Sequence, residues 1–317
     1  MQLIRGLHNL TQPLPPSVVT IGNFDGIHLG HQQVLQQLKT IADKSALCSA
    51  VIIFEPQPIE FFAPDKAPKR LSRFREKIAY LKSQKIDYLL CLKFDQSFSE
   101  LGAEQFVEEL LVNRLSTQHL VIGDDFRFGK NRSGDFESLK SYGKQYGFKV
   151  DNTETLLFDG TRVSSTRIRE CIQNDDFTFA SNLLGRPYSL SGKVSHGQKL
   201  GRQLGFPTIN IKMGSKTLIV KGVFAVMVKG IDNRVLQGVA SLGTRPTVSG
   251  IDSILEVYIL DFNQDVYGYG VEVDFLHRIR DEKKFNSLEE LTTNIKQDIV
   301  LAQQYFAQLS YIIRPRH

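Results

Sequence analysis

Two histidines, His28 and His31, lie three residues apart at the start of a helical pattern, directly after a turn rich in glycine, asparagine and aspartate. A β-branched run at residues 18–21 leads into this turn, which is the pattern of a strand, a tight loop and a helix N-terminus. Such a corner offers free backbone N–H groups and the positive end of a helix dipole. Imidazoles on one helix face can donate to phosphoryl oxygens with or without a charge. We therefore predict a phosphate-binding turn here, against the simpler alternative of a βα turn with two surface histidines.

A second set of residues that could bind a ligand lies at 201–210 and contains Gly201, Gly205, Pro207, Thr208 and Asn210. Thr208 and Asn210 are two residues apart, so in extended backbone their side chains point the same way. A hydroxyl and an amide oxygen are suitable ligands for Mg²⁺, which also takes waters and phosphate oxygens. The alternative interpretation is an ordinary turn that leads into a strand.

Two further segments combine helix-start or turn residues with charged groups. Residues 164–169 place Ser164, Ser165 and Thr166 before an apolar-periodic run and add Arg169, which fits either a simple N-cap or a second phosphate-binding helix N-terminus. Residues 123–129 follow a short apolar strand and are followed by a Gly-Asp pair. Alone, this segment could also be a charged turn beside two core phenylalanines.

Together these strings resemble the H-x-G-H nucleotidylyltransferases, and among them most closely the bacterial bifunctional riboflavin kinase/FMN adenylyltransferase (FAD synthetase) family. The resemblance extends over nearly the whole chain, in the order of the family's motifs. It implies that the first half transfers AMP from ATP to FMN, and that the second half phosphorylates riboflavin with Mg²⁺-ATP. ATP, riboflavin and FMN are then the expected partners, and Mg²⁺ accompanies ATP.

The resemblance also assigns residues in the first half. Catalytic roles fall to His28 and His31, and flavin contacts to Phe126 and Phe128. The implied nucleotide-binding residues are Gly22, Asn23, Phe24, Asp25, Gly30, Asp125, Arg127, Ser164, Ser165, Thr166 and Arg169. One segment departs from the family pattern, because Gln57 stands in the F-x-P-x-P-x-x-F-F string where histidine is usual. A titrating role at that position is therefore excluded.

In the second half, the resemblance implies a catalytic glutamate, Glu256, in a strand before an L-x-D-F-like turn. Thr208 and Asn210 are the implied metal ligands, with Asn210 also catalytic, and Arg280 and Phe285 belong to a segment that covers the flavin. The implied nucleotide-binding residues are Gly201, Arg202, Gly205 and Pro207.

The pattern of apolar runs changes near the Gly-Arg-Pro string at residues 185–187. Before it, near-continuous apolar strands alternate with helical patterns, which predicts a Rossmann-like α/β domain with a parallel sheet at residues 1–184. After it, short strands separated by turns predict a small antiparallel β-barrel at residues 185–317. A final helix from Ser287, with Glu290 completing a capping box, is expected to cover the barrel.

Composition limits the remaining classes. The 317 residues are 41% hydrophobic and 23% charged, with a net charge of +5, which suits anionic substrates. A basic stretch at residues 66–75 leaves a nucleic-acid-binding protein as one alternative. A catalytically silent flavin-binding protein is the other alternative.

The three cysteines form no C-x-x-C and predict reduced thiols in the cytoplasm. No signal-peptide pattern or bilayer-spanning apolar run is present, so we expect no membrane and no nucleic-acid partner, and nothing indicates an oligomeric state.

Overall fold

The computed structural model of the protein describes residues 1–197, 200–214, 218–247 and 250–313, and at residues 200, 244–247, 250–252 and 310–313 it describes the backbone alone. The chain forms two compact units. The first comprises residues 1–68 and 72–164, and the second comprises residues 69–71 and 165–317.

The first unit is built on a parallel sheet of six strands in the order β1-β4-β3-β2-β5-β6. Its strands are β1 (Gln2–Arg5), β2 (Ser17–Ile21), β3 (Cys48–Phe54), β4 (Tyr88–Leu92), β5 (Thr117–Gly123) and β6 (Lys149–Thr153). A two-stranded hairpin follows, β7 (Leu157–Phe158) with β8 (Thr161–Arg162). The strand order reverses between β2 and β5, and ligands of such sheets bind beyond the carboxyl ends of the strands at that point.

Helices cover both faces of this sheet, as predicted. They are α1 (Leu29–Ser45), α2 (Pro58–Phe62), α3 (Phe74–Ser83), α4 (Gln96–Ser99), α5 (Ala103–Gln105), a π-helical segment (Phe106–Arg114) and α6 (Phe136–Tyr146). Alternate strand residues enter different cores: Val19 and Ile52 pack with the π-helical segment, whereas Val18 and Val51 pack with α1 and α3. The strands are therefore apolar on both faces, which explains their near-continuous hydrophobic runs.

The second unit contains a closed antiparallel barrel in the order β10-β13-β12-β11-β14-β9. Its strands are β9 (Tyr188–Ser195), β10 (Thr208–Gly214), β11 (Gly222–Lys229), β12 (Leu236–Thr247), β13 (Gly250–Ile259) and β14 (Gly270–Arg280). The helices of this unit are α7 (Ser165–Gln173), α8 (Phe177–Leu184), α9 (Leu200–Gln203) and α10 (Leu288–Ile313). The predicted barrel is thus confirmed. One short strand that the sequence predicts, at residues 217–220, is not: Thr217 lies outside the described residues, and residues 218–220 belong to none of the barrel strands.

Helix α10 covers the barrel as predicted, and Glu290 N–H donates to the Ser287 hydroxyl at 3.1 Å to cap it. Its apolar residues Ala302 and Phe306 pack on Val223 and Val239 of the barrel. Apolar residues three or four apart predict a stripe on this helix that begins at Leu288, but Leu288 itself is exposed.

The change of pattern at residues 185–187 does not coincide with the edge of a compact unit. Helices α7 and α8 pack on each other, and α8 packs on β9 and β14 of the barrel unit. Residues 165–184 therefore belong to the second compact unit. The boundary between the functional domains at residues 184 and 185 stays a prediction.

An ion pair between half-buried Arg280 and buried Asp298 joins α10 to the barrel. Arg280 Nε and Nη2 donate to the two carboxylate oxygens of Asp298 at 2.8 and 2.7 Å. Asp298→Ala should lower the free energy of unfolding by about 1–3 kcal/mol, because it leaves the half-buried Arg280 guanidinium without its carboxylate. Urea denaturation of the barrel unit measures this loss.

The exposed ion pair between Arg234 and Asp232, with 2.7 Å between nitrogen and oxygen, provides the matched control. Asp232→Ala removes a carboxylate that water already solvates, so it should change stability far less. Equal effects of the two substitutions would show that the Arg280–Asp298 pair contributes no more than a surface contact.

Candidate active sites

The turn that joins β2 to α1 has an unusual backbone. Phe24 and Ile27 have φ angles of 47° and 41°, in the left-handed region that disfavours residues with a side chain, and Gly26 between them has a φ of 80°. Both apolar side chains are buried in the core beneath α1. Burial of these two side chains holds the turn in a conformation that an isolated peptide would rarely adopt.

Ser72, just before α3, fastens the same turn with three hydrogen bonds. Its hydroxyl accepts from Gly26 N–H at 3.0 Å, and its N–H and hydroxyl donate to Asp25 Oδ1 at 3.1 and 3.3 Å. Asp25 is buried, so its carboxylate fixes the shape of the turn. Asp25, one of the predicted nucleotide-binding residues, therefore helps to hold the backbone of this turn in place.

His28 and His31 are brought together at the N-terminus of α1, as their spacing predicts. His28 is the N-cap residue, its Nδ1 accepts from His31 N–H at 3.3 Å, and the two rings stack with centroids 3.7 Å apart. Desolvation, His28 and Lys77 lower the pKa of His31 well below its usual value, so this imidazole is neutral at neutral pH. Among the described residues, its buried Nδ1 has no hydrogen-bond partner. His31 therefore brings no charge of its own to the N-terminus of α1 at neutral pH.

The loop after β5 contains Asp125, which forms an ion pair with Arg162 of the β7–β8 hairpin at 2.8 Å. Arg162 also lies 3.6 Å from Asp124, which in turn accepts from the Thr155 hydroxyl at 2.6 Å. Arg127 is exposed, and its guanidinium donates to the carbonyl of Phe126. Arg162 was not among the site residues predicted from the sequence, although it lies only two residues before the Ser-Ser-Thr string.

The two predicted flavin contacts in this loop differ in exposure. Phe128 is buried against Phe106, whereas Phe126 is half-buried and stacks on Phe128 with centroids 5.9 Å apart. Gly134 pairs with Phe128, and a Cβ there would lie 2.4 Å from its ring. Phe128 is therefore part of the core that supports the loop.

A partly exposed aromatic cluster, which was not predicted from the sequence, lies at the carboxyl ends of β3 and β4. Its members are Phe54, Phe61, Phe62, Phe94 and Phe98, with neighbouring ring centroids 5.2–5.6 Å apart. The outermost ring, Phe62, is 65% exposed. The two adjacent phenylalanines of the F-x-P-x-P-x-x-F-F string were the available signal.

Gln57 lies three residues after the end of β3 and directly before α2. Its backbone N–H donates to Glu60 at 2.9 Å, which starts α2. The side chain is buried, and its Nε2 has no partner among the described residues. The amide therefore presents an uncharged donor where histidine is usual in the resembling family.

Residues 164–169 are divided between the two units, because Ser164 ends the first and α7 begins at Ser165 in the second. Within the second unit, Arg169 Nε donates to the carbonyl of Lys69 at 2.7 Å. Ser165 and Thr166 occupy the first turn of α7, as the predicted helix start requires.

The 201–210 segment of the second unit forms α9, a tight turn and the start of β10. Phe206 N–H donates to the carbonyl of Gly201 at 2.7 Å, and a Cβ on Gly201 would lie 2.4 Å from the Phe206 carbonyl oxygen. Gly205 has a φ of 86°, which glycine adopts without strain. Both glycines are thus required by the turn that delivers Thr208 to the beginning of β10.

The barrel places Asn210 directly opposite Glu256, since the two are register partners in the β10–β13 ladder. Side chains of directly opposite residues have Cβ atoms about 4.5–5.5 Å apart. Asn210 is buried, and its Nδ2 donates to the carbonyl of Thr208 at 3.3 Å. That bond orients the amide so that Oδ1 remains for a cation, and the donor set therefore fits Mg²⁺. Two residues that are far apart in sequence are brought together here.

A pocket of about 490 Å³ lies at the start of β10, where Thr208 and Ile209 line it, whereas neither Asn210 nor Glu256 is among its lining residues. Its walls combine apolar groups with amides and one guanidinium, which suits a nucleotide. The lining residues are Val194, Arg202, Pro207, Thr208, Ile209, Val257, Ile259, Phe262, Asn263, Gln264, Asp265, Val266 and Tyr267. The predicted residues Arg202, Pro207 and Thr208 are among them, whereas the stretch at 262–267 was not selected, although it follows the L-x-D-F-like turn.

Arg280 and Phe285, the two predicted flavin contacts of this unit, lie together, with the guanidinium 5.6 Å from the ring centroid. Arg280 is also held by Asp298, as described above. Among the described residues, no group of three or more histidine, cysteine, aspartate or glutamate side chains could hold a metal ion. No helix in the described part of the chain is long and apolar enough to cross a membrane.

Comparisons with known proteins agree with this geometry. Residues 11–167 match the family model "FAD synthetase", and residues 184–306 match "Riboflavin kinase". The bifunctional riboflavin kinases/FMN adenylyltransferases of Haemophilus influenzae and Escherichia coli K12 are each 48% identical to the chain, covering 96% of it and 99% and 98% of the relative. The enzyme of the same name from Pseudomonas fluorescens is 46% identical over 96% of the chain and 97% of its own length.

A crystal structure from Streptococcus pneumoniae is similar over 96% of the chain and 99% of its own length, with a TM-score of 0.78 and 32% identity. It is described as a macrolide-efflux protein, a description that applies to that protein. Both family models matched by this chain describe flavin enzymes.

The chain matches two enzyme families, one in each half, and both transfer phosphorus-containing groups. It is therefore a bifunctional transferase of this class. The chain belongs to the bifunctional riboflavin kinase/FMN adenylyltransferase family. Its two activities are the phosphorylation of riboflavin to FMN and the adenylylation of FMN to FAD, both at the expense of ATP.

Proposed function

We propose that the barrel unit phosphorylates riboflavin through Asn210 and Glu256. The observation that supports this most strongly is their direct pairing across β10 and β13. The riboflavin 5′-hydroxyl oxygen attacks the γ-phosphorus of ATP, its proton passes to the Glu256 carboxylate, and ADP leaves. Mg²⁺, held by Thr208 and Asn210, supplies charge neutralisation at the ATP phosphates, and such catalysis consists mostly of positioning and charge stabilisation.

The N-terminus of α1 is the proposed site of adenylyl transfer. A phosphate oxygen of FMN attacks the α-phosphorus of ATP, and pyrophosphate leaves. His28 and His31 donate to the phosphoryl oxygens as charge builds there. Ser164, Ser165, Thr166 and Arg169 are proposed phosphate ligands on the resemblance alone. No side chain acts as the nucleophile, because FMN brings its own phosphate.

The experiment that tests both assignments incubates the protein with riboflavin, ATP and Mg²⁺ and separates the flavins by chromatography. FMN should appear first and FAD later, and chelation of Mg²⁺ should stop both steps. A protein that forms no new flavin would be the silent flavin binder of the alternative interpretation.

A nucleic-acid role is not favoured, because both family models that the chain matches describe flavin enzymes. Within the basic stretch, Arg70 is buried and Arg73 forms an ion pair with Glu76 at 2.6 Å, whereas Lys66, Lys69 and Arg75 are exposed. We propose that small-molecule flavins and ATP are the partners, without nucleic acid or membrane. The three cysteines are free, which suits the proposed cytoplasmic location.

The partly exposed aromatic cluster around Phe62 is the proposed docking surface for the flavin ring system during adenylylation. Phe62→Ala should raise the KM for FMN in FAD formation about tenfold, since stacking of a flat ring on an aromatic side chain contributes about 1–3 kcal/mol. FMN formation from riboflavin in the barrel unit should be unchanged. Steady-state kinetics of both reactions on the same preparation measure this.

Ile59→Ala provides a matched control, because Ile59 is an exposed apolar residue of the same helix and no member of the ring cluster. If Phe62→Ala and Ile59→Ala gave the same KM for FMN, the cluster would not be the flavin surface.

A further inference from the structure

Residues 196 and 197 follow β9 in the barrel unit and belong to none of the motifs described above. Ser195, the last residue of β9, is the register partner of Asn210 in the β9–β10 ladder, and its hydroxyl donates to the Asn210 carbonyl at 3.2 Å. The chain therefore leaves β9 directly beside the proposed cation ligand. Of the two residues that come next, His196 contacts a residue of the pocket, and Gly197 lies against Asn210 itself.

Gly197 leaves room for the Asn210 amide. A Cβ at this glycine would lie 2.5 Å from both Cγ and Oδ1 of Asn210 and 2.6 Å from its Nδ2, which is closer than such atoms can approach. The φ of Gly197 is outside the left-handed region, so glycine is required here for space rather than for backbone conformation. Because Asn210 is buried, its amide cannot turn aside without displacing its neighbours. The bare backbone of Gly197 thus closes one side of the space around the proposed Mg²⁺ ligand.

His196 stacks on Tyr267, with ring centroids 3.8 Å apart and 34° between the ring planes. Tyr267 is one of the residues that line the pocket of about 490 Å³. Backbone hydrogen bonds of 2.9 Å join the next two residues, Gly268 and Tyr269, to Val194 of β9, so the main chain beside Tyr267 is fixed. The Tyr267 ring can still rotate about its side-chain bonds, and stacking on His196 restricts that rotation.

We infer that His196 and Gly197 are positioning residues for riboflavin phosphorylation. His196 holds the Tyr267 ring at the nucleotide pocket, and Gly197 holds the Asn210 amide in the orientation proposed for cation binding. This inference rests on the proposed role of Asn210. Two consecutive residues then couple the position of the nucleotide to the position of its Mg²⁺. Such coupling matters because displacing a reacting group by about 1 Å can slow a reaction about 10²-fold.

Gly197→Ala should slow FMN formation about 10²-fold and raise the Mg²⁺ concentration that gives half the maximal rate, because the added methyl group displaces the Asn210 amide. Gly270→Ala is the matched control, since Gly270 begins β14 and a Cβ there meets nothing within 4 Å. It should change neither quantity. A double-mutant cycle then isolates the contact. In Asn210→Ala protein, which has no amide to displace, Gly197→Ala should slow FMN formation less than about threefold further.

His196→Ala should raise the KM for ATP in FMN formation about fivefold, the size of one lost ring contact, and should change kcat little. His196→Phe keeps a flat ring and should retain the normal KM. In Tyr267→Ala protein, His196→Ala should raise the KM no further, because the ring that it positions is already absent.

Thermal denaturation monitors the folding of every variant. Gly197→Ala protein as active as Gly270→Ala protein would overturn the inference, and so would an equal loss from Gly197→Ala with and without the Asn210 amide. An unchanged KM for ATP in His196→Ala would also overturn it. If Gly197→Ala alone unfolded the barrel, Asn210→Ala should restore folding, since it removes the clashing amide, and no restoration would contradict the inference. Normal FMN formation by Asn210→Ala is a separate result: the proposed function would fail, and the inference would fall with it.

Discussion

Asn210→Ala should reduce FMN formation by about 10²–10³-fold while supplied FMN is still converted to FAD at the normal rate. The substitution removes the amide oxygen that is the proposed Mg²⁺ ligand, and the proposed adenylylation residues lie elsewhere in the sequence. Glu256→Gln keeps the shape of the side chain but cannot accept the hydroxyl proton, so FMN formation should fall about 10²–10⁴-fold. Chromatography of flavins after incubation with riboflavin, or with FMN, separates the two reactions.

Lys212→Ala is the matched control for Asn210→Ala, because Lys212 lies two residues further along β10 and is exposed. It should leave both reactions unchanged. Loss of both activities in Asn210→Ala, in protein with a normal circular dichroism spectrum, would show that the two sites are shared or strongly coupled.

His28→Ala and His31→Ala should have the opposite selectivity. Each removes a ring that is proposed to donate to phosphoryl oxygens, so FAD formation from FMN should fall by about 10²–10³-fold. FMN formation from riboflavin should stay near normal. Single-turnover measurement of FAD formation in the presence of saturating FMN and ATP reports the loss in the chemical step.

His8 offers a control within the same unit, since it is an exposed histidine on a short 3₁₀ turn, Leu7–Asn9. His8→Ala should not change either rate. If it lowered FAD formation as much as His31→Ala, the effect would reflect the stability of the unit rather than chemistry at α1.

The local features of this fold could be predicted from the sequence because they depend on neighbouring residues. The helix that follows His28 and the Ser287 cap of α10 are set by residues within one or two turns, and both are confirmed. The continuous apolar runs in the strands of the first unit likewise indicate a sheet that helices cover on both faces. Family resemblance added the roles that local patterns leave open.

Long-range register could not be predicted in the same way. The pairing of Asn210 with Glu256 depends on how six strands close into a barrel, and no local pattern encodes that closure. Arg70 is buried for a related reason, because an arginine in a basic stretch is usually solvated whereas tertiary packing buries this one. Phe62 is the reverse case, since a phenylalanine expected in a core is exposed.

The two sheets also differ in their risk of self-association. A closed barrel leaves no strand with unpaired backbone groups, whereas the open parallel sheet ends in two edge strands, β1 and β6. Strand β6 carries Lys149, Asp151 and Asn152, and charged or polar side chains on an edge discourage pairing with another chain. Strand β1 is only four residues long. The fold therefore protects a flavin enzyme from edge-to-edge aggregation by closure in one half, and by short or polar edges in the other.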